Sequence, residues 1–408
     1  MERESHPIMK EIIKHKITHN VNRLKTSLKW VVFAILSGVL VGSVGTLFYL
    51  CMALVTLVRT KNPWLIFLLP VGGILIVGAY RLLHDERDTG TNLVLSAIHS
   101  GDELPLRMAP LIFISTLITH LFGGSADLAP SNKTNLKGEG DFSKADYSGK
   151  NLHFGVREQA MAAIGNGLAL HGGLRPFVAT FFVFSDYTKP MARLTSLMKL
   201  PLIYVFTHDS IGVGEDGPTH EPIEQLAAFR SMPDFTVFRP CDRTETALAW
   251  EYAIESKDEP TALVLTRQNL PQMAGSSKEA LKGAYILEDS DKETPDGIII
   301  ASGSEVNLAV SAKAELKNAG IDVRVVSMPS MDVFEKQSEE YKESVLPKSV
   351  RKRVAVEALS DFGWYRYVGL DGKVICMKGF GASGPANQLF EHFGFTVENV
   401  VNTVKSLF

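Results

Sequence analysis

LITHLFGGSADLAPSNKT, Leu117 to Thr134, joins two kinds of sequence. Its first half is apolar enough for lipid, and its second half opens a polar, water-exposed pattern. Upstream, Trp30–Val58, Asn62–Tyr80 and Met108–Ala126 carry no charged side chain. Runs of about 20 apolar residues are long enough to cross a bilayer as helices. From Asp127 onward charge returns and no such run recurs. The expectation is a membrane-helix segment over 1–126, followed by a soluble remainder.

Within that segment Gly38 and Gly42, one helical turn apart, allow close helix contact in lipid. Arg23, Lys25 and Lys29 precede the first span and place the N-terminus in the cytoplasm. The third run contains Pro110 and His120 and ends in two glycines, so it reads either as a third crossing or as a re-entrant piece. Only the second choice keeps the remainder on the cytoplasmic side, which is where it is expected. A membrane contact through residues 30–126 follows. The net charge of −3 gives no basic surplus for a nucleic-acid partner. Cys51, Cys241 and Cys376 are too few and too scattered for a disulfide framework, and they read as buried or idle thiols.

Beyond Asp127 the pattern is α/β. PFVATFF, PLIYVFTHD, FTVFRP and TALVLTR are short β-branched or aromatic runs ending in polar turns. Helical stretches such as REQAMAAIGNGLALHG and EPIEQLAAFRSM separate them. Strands alternating with helices predict parallel sheets covered on both faces. The polar stretch 272–295 reads as a linker. A second α/β unit over 296–408 contains GIIIASG, DVRVVSMP, KRVAVEA and KVICMKGF.

Several side chains stand where chemistry is possible. Glu158 opens an apolar helix, where a carboxylate also simply favours the helix dipole. Phe181, Phe184 and Tyr187 recur every third residue at a strand end, as a core stripe or as a grip on a flat heteroaromatic ring. The loop from Thr207 to Pro222 holds His208, Asp216 and His220 among glycines. It follows a buried strand directly, and ligands of parallel sheets bind at strand carboxyl ends. His220-Glu221 lacks the second histidine of a zinc protease. Gly379–Gly384 matches a dinucleotide pattern, but no βαβ unit follows, so it reads as a turn.

Two resemblances follow from these residues. WVVFAILSGVLVGSVGTLFY, GTNLVLSAIHSG and LITHLFGGSA resemble the start of a ClC-type chloride channel or transporter. The gating-glutamate segment that follows GGSA in that family is replaced here by Asp127-Leu128-Ala129-Pro130, so transport is expected to be lost. A ClC-like chloride transporter with a soluble appendage remains the alternative reading. SADLAPSNKT, FGVREQAM, ATFFVFSDY, THDSIGVGEDGPTHEPIEQLA, FRPCD, TRQNLP and GFGASGPANQLFEHFG resemble, in order, the C-terminal half of transketolase. The resemblance implies a pyrimidine-binding domain over 127–271 and a C-terminal domain over 296–408.

It also implies transfer of a two-carbon ketol unit between sugar phosphates with thiamine diphosphate. Glu158 would meet the aminopyrimidine N1′, Phe181, Phe184 and Tyr187 would surround that ring, and Asp127 would lie near the thiazolium. Ser131, His208 and Arg267 would hold the sugar's phosphate. Asp216 would accept from a sugar hydroxyl, and His220 would sit near the reacting carbons as a catalytic group. Gly-Asp-Gly, which holds Mg²⁺ or Ca²⁺ against the diphosphate in such enzymes, has no counterpart: Asp216-Gly217, Asp296-Gly297 and Asp371-Gly372 lack the first glycine. No metal ligand is therefore expected in this chain. The reading expects an enzyme inactive alone, working as a homodimer or with a separate diphosphate-binding subunit. It places the switch between the two resemblances at Gly123–Ala126.

Overall fold

The computed structural model describes residues 121–408, and there the run that reads as a lipid segment ends in a β-strand. Leu121–Ser125 is β1 of a six-stranded sheet. Its glycines are dictated by crowding. A side-chain carbon at Gly123 would lie 2.1 Å from the Phe177 carbonyl oxygen, and one at Gly124 would lie 1.8 Å from that of Leu152. The apolar character of LFGGS thus comes from burial inside a parallel sheet, where both faces are covered. β1 is an inner strand of this sheet, so a cut at the expected boundary 126/127 would separate it from its partners. The spans at 30–58 and 62–80, the ClC-like stretches before Leu121 and Cys51 lie outside the described residues. Among the described residues no helix is long and apolar enough to cross a membrane.

The remaining strands of this sheet are β2 (Asn151–His153), β3 (Arg175–Phe181), β4 (Ile203–Thr207), β5 (Thr236–Phe238) and β6 (Thr261–Leu265). Their order is β2-β1-β3-β4-β6-β5, all parallel. Four were legible as β-branched and aromatic runs. β1 and β2 were not. Side chains alternate between two cores: Tyr204 and Phe206 join Met161, Phe182 and Phe229 on one face, while Ile203 and Val205 join Phe177, Phe238 and Leu263 on the other. Full burial of a side chain such as Phe206 contributes about 1.5–3 kcal/mol. The chain leaves β1 for β2 on one side and returns to β3 on the other, so the topological switch lies between β1 and β3, the usual position of a ligand crevice.

Of the expected linker, Tyr285–Glu288 forms β7, the antiparallel edge of a second sheet. Its other strands are β8 (Gly297–Ala301), β9 (Val323–Ser327), β10 (Arg353–Ser360) and β11 (Lys373–Met377), in the order β11-β10-β8-β9-β7. The segment before β7 is tied down by Asp242 of FRPCD. Its carboxylate caps the helix Arg243–Glu255 and also accepts from Gln272, the Met273 amide and Ser276. Gly379–Gly384 is a loop between β11 and the helix Ala386–His392, and Ser383 reaches across to the Glu215 carbonyl.

Candidate active site

The carboxyl ends of β1, β3, β4 and β6 are where the predicted site residues gather. Two leave their strands through left-handed backbone: Asp127 has φ 64° and His208 also has φ 64°. Residues other than glycine adopt that conformation at a cost, which marks tightly constrained turns. Asp127 is exposed. Ser131 is exposed in the single turn Ala129–Asn132 that follows β1. Arg267 is exposed two residues beyond β6, close enough for its charge to act on His208.

The aromatic residues form one ladder. His208 stacks on Phe181 at 3.7 Å between ring centroids. Phe181 stacks on Phe184 at 6.1 Å with planes 7° apart, and Phe184 on Tyr187 at 6.2 Å. His220 meets Phe184 edge-on at 5.4 Å. Inserting a flat ring between two of these rings would need roughly 7 Å, twice a van der Waals contact, so the trio as it stands is no sandwich. The trio is therefore a wall, closed at the Phe181 end by His208 and open at Tyr187, which is 61% exposed. Strand, short 3₁₀ turn Phe182–Phe184 and helix Ser185–Leu197 build it in sequence. The three-residue spacing follows from that turn.

Burial pushes the His208 imidazole down to about 4; Arg267 adds to the shift, and Asp209 and Asp216 oppose it. The ring is therefore neutral at pH 7. Glu158 begins the helix Glu158–His171 and is 7% exposed, with no hydrogen bond from a described residue. A largely buried carboxylate without a partner, as a hydrogen-bond acceptor, and an aromatic wall would fit the ring of thiamine diphosphate in polarity and shape. Asp216 is exposed on its loop and His220 half-buried.

Two features escaped the sequence reading. Glu221, next to His220, is 2% exposed and neither carboxylate oxygen has a hydrogen-bond partner. Burial pushes it up to about 7, while the Ala382 amide facing it pulls the other way without completing a hydrogen bond. A side chain at Gly381 would collide with Glu221 Oε2, which accounts for a glycine there. The second feature is a buried chain of polar side chains, Ser125, Asn132 and Thr207, behind His208. Their spacing in sequence carries no signal, because they meet only when β1 and β4 are placed in one sheet.

Comparison with known proteins places both sheets in known domain families. Residues 114–273 match the transketolase pyrimidine binding domain, and residues 283–396 the transketolase-like C-terminal domain. The transketolase of Bacillus subtilis (strain 168) is 61% identical over 294 residues, covering 71% of this chain and 44% of the relative. That of Halalkalibacterium halodurans is 54% identical over 332 residues, 80% of this chain and 50% of the relative. A crystal structure of transketolase from Pichia stipitis in complex with sedoheptulose-7-phosphate superimposes with a TM-score of 0.67 at 48% identity, covering 70% of this chain and 43% of that one. The chain thus spans about half the length of the curated relatives it matches. Because the similarity begins by residue 114, the switch placed at Gly123–Ala126 is corrected: GGSA lies within the transketolase-like part. Residues 114–273 and 283–396 of this chain are the pyrimidine-binding and C-terminal domains of the transketolase family.

Proposed function

We propose that this chain supplies the ring-binding and sugar-phosphate-binding side of a transketolase-type transferase. The observation that carries the reading is the ladder His208–Phe181–Phe184–Tyr187, with His220 at its flank, at the switch point of a pyrimidine-binding domain. Thiamine diphosphate, when bound, supplies the electron sink for moving a two-carbon ketol unit between sugar phosphates. This chain's residues do the positioning. The Phe184–Tyr187 end of the wall excludes water from one side of the ring. Glu158 hydrogen-bonds the aminopyrimidine N1′ and holds the proton shared there. Asp127 stands toward the thiazolium. His220 serves the reacting carbons and Asp216 accepts from a sugar hydroxyl. Ser131, Arg267 and His208 receive the phosphate, Arg267 through its planar, always-charged fork.

The diphosphate and its Mg²⁺ or Ca²⁺ are assigned to a separate diphosphate-binding polypeptide. Support comes from apolar side chains left in water on or just before the packed helices Glu158–His171 and Ser185–Leu197: Val156, Ile164, Tyr187 and Leu197 are all exposed. Exposed apolar surface, where contiguous, marks interaction sites. The apolar runs at 30–58 and 62–80 motivate a membrane attachment with the enzyme part facing the cytoplasm. Protection of the enzyme part from protease in sealed right-side-out vesicles, and its cleavage in inside-out ones, tests that placement.

The central test uses the full chain with thiamine diphosphate, Mg²⁺ and a ketose–aldose pair, with and without the N-terminal part of a relative. Turnover only in the reconstituted mixture is expected. Robust turnover by the chain alone refutes the division of labour, and no turnover in either refutes the assignment. Glu158→Ala should abolish turnover in the reconstituted mixture.

A further inference from the structure

The polar side chains behind His208 form a chain whose direction can be read from one end. Ser125 donates its only hydroxyl proton to the Ala179 carbonyl at 3.0 Å. Its oxygen is then an acceptor, and it receives Asn132 Nδ2 at 2.8 Å and the Leu128 amide at 3.3 Å. That orients the Asn132 amide, because a side-chain carboxamide has one donating and one accepting end. The accepting end, Oδ1, takes the Thr207 hydroxyl at 2.6 Å. With its proton committed, Thr207 Oγ1 can only accept from His208 Nδ1, which lies 2.9 Å away. A single carbonyl at the end of β3 thereby sets the tautomer of an imidazole at the end of β4. All four side chains are buried, which removes water as an alternative partner.

We propose that Ser125, Asn132 and Thr207 are positioning residues that hold His208 as its Nδ1–H tautomer, so that Nε2 meets the sugar phosphate as an acceptor and binding of a phosphate dianion takes up one proton. This rests on the assignment of His208 to the phosphate. The consequence is chemical. A neutral Nδ1–H imidazole offers a lone pair at Nε2, and so does a phosphate dianion, so the two repel. One proton from solvent, placed on Nε2 or carried as phosphate OH, converts the contact into a hydrogen bond. The charged groups acting on the ring are Arg267 beyond β6, Asp209 next in the chain and Asp216 on the loop. The β3 side presents the uncharged Phe181. Burial, the largest effect, and Arg267 disfavour the imidazolium while the two aspartates favour it, so the free ring stays neutral and the proton arrives only with the dianion.

The test is made on the full chain with ¹⁵N-labelled histidine, His208 being assigned by Gln replacement. Two-bond nitrogen–proton correlations at pH 7 should show protonated Nδ1 and bare Nε2. A ring protonated at Nε2, or a mixture of tautomers, overturns the proposal. Thr207→Val should release the tautomer and Thr207→Ser should keep it. Persistence of the Nδ1–H form in Thr207→Val likewise overturns it. Calorimetry with ribose 5-phosphate in two buffers of different ionisation enthalpy should report uptake of about one proton, with affinity falling roughly tenfold per pH unit above pH 7. Binding without proton uptake by an Nδ1–H ring overturns the proposal. Absence of any binding overturns the phosphate assignment instead, while the nitrogen spectra still decide the tautomer.

Discussion

The two parallel sheets use the same place, the carboxyl ends of their strands, in opposite ways. In the first sheet these ends carry side chains whose reactive edges have few partners: Asp127, Arg267 and Asp216 in water, and Glu158 without a hydrogen bond. In the second they are sealed against the first domain by charge. Arg239, wholly buried, donates to Asp209 at 2.8 Å, to the Ser302 carbonyl at 2.9 Å and to Glu305 at 2.5 Å. Glu357 receives both ends of Arg230 and the Trp364 indole. Burial opposes the charge on Glu357, but Arg230 and Arg239 hold it below the usual carboxylate range. Ser302 follows β8 and Glu357 lies on β10, so this sheet spends its strand ends on docking. The difference teaches that strand ends become a binding site only where the fold withholds partners from them.

The largest effect should come from breaking the sealed end. Arg239→Met leaves Asp209 and Glu305 buried without their cation, and removal of one partner of a buried pair costs about 3–5 kcal/mol. Urea unfolding of the full chain would measure it. A loss under 1 kcal/mol would mean the cluster is no seal. Next comes the open end. Phe184→Ala removes a half-buried ring with stacking partners on both sides; it should cut reconstituted turnover about tenfold or more, equivalent to 1.4 kcal/mol. Stability should change by only about 1 kcal/mol, within the range of ordinary substitutions. Equal loss of both would erase the distinction between the two sheet ends.

Glu221 sharpens the comparison, since it belongs to the open domain yet lies buried beneath Gly381. Its carboxyl titrates near 7 in the fold instead of near 4.5. Between those values the folded chain holds a proton that the unfolded chain has released. The stabilisation present below pH 4.5 is therefore lost as pH rises toward 7. Glu221→Gln should flatten that part of the stability curve and melt above the parent at pH 8. Identical melting profiles from pH 5 to 8 would contradict the buried-acid description. The smallest effect belongs to the surface: Lys342→Ala breaks a partly exposed pair with Glu339 and should shift stability by less than about 1 kcal/mol in thermal melts.

The α/β character was visible because the strands are short, β-branched and punctuated by turns. β3–β6 and β8–β11 all sit where such runs predict them. β1 misled because a strand buried on both faces and a lipid-facing segment share one property, the absence of charge. Only the packing tells them apart: side-chain carbons at Gly123 and Gly124 would lie 2.1 Å and 1.8 Å from the Phe177 and Leu152 carbonyl oxygens, which is why two glycines stand together. The site residues were legible one by one through motif resemblance. Their arrangement as a wall was not, because stacking distance depends on how the 3₁₀ turn after β3 meets β4. FRPCD and GFGASG were recognised as marks of the family, and their work proved to be mechanical: Arg239 and Asp242 bind elements together, and Gly381 makes room for Glu221.

Composition and periodicity alone settled that two parallel-sheet units follow one another and that aromatic and imidazole side chains stand at strand ends, since both depend on neighbours within a few residues. Which polar groups are satisfied, which stay available and which histidine nitrogen keeps its proton were decided by the packed chain. Hydrogen-bond direction passes from Ala179 to His208 across three strands whose residues are up to 83 positions apart, a relation that arises only when the sheet closes.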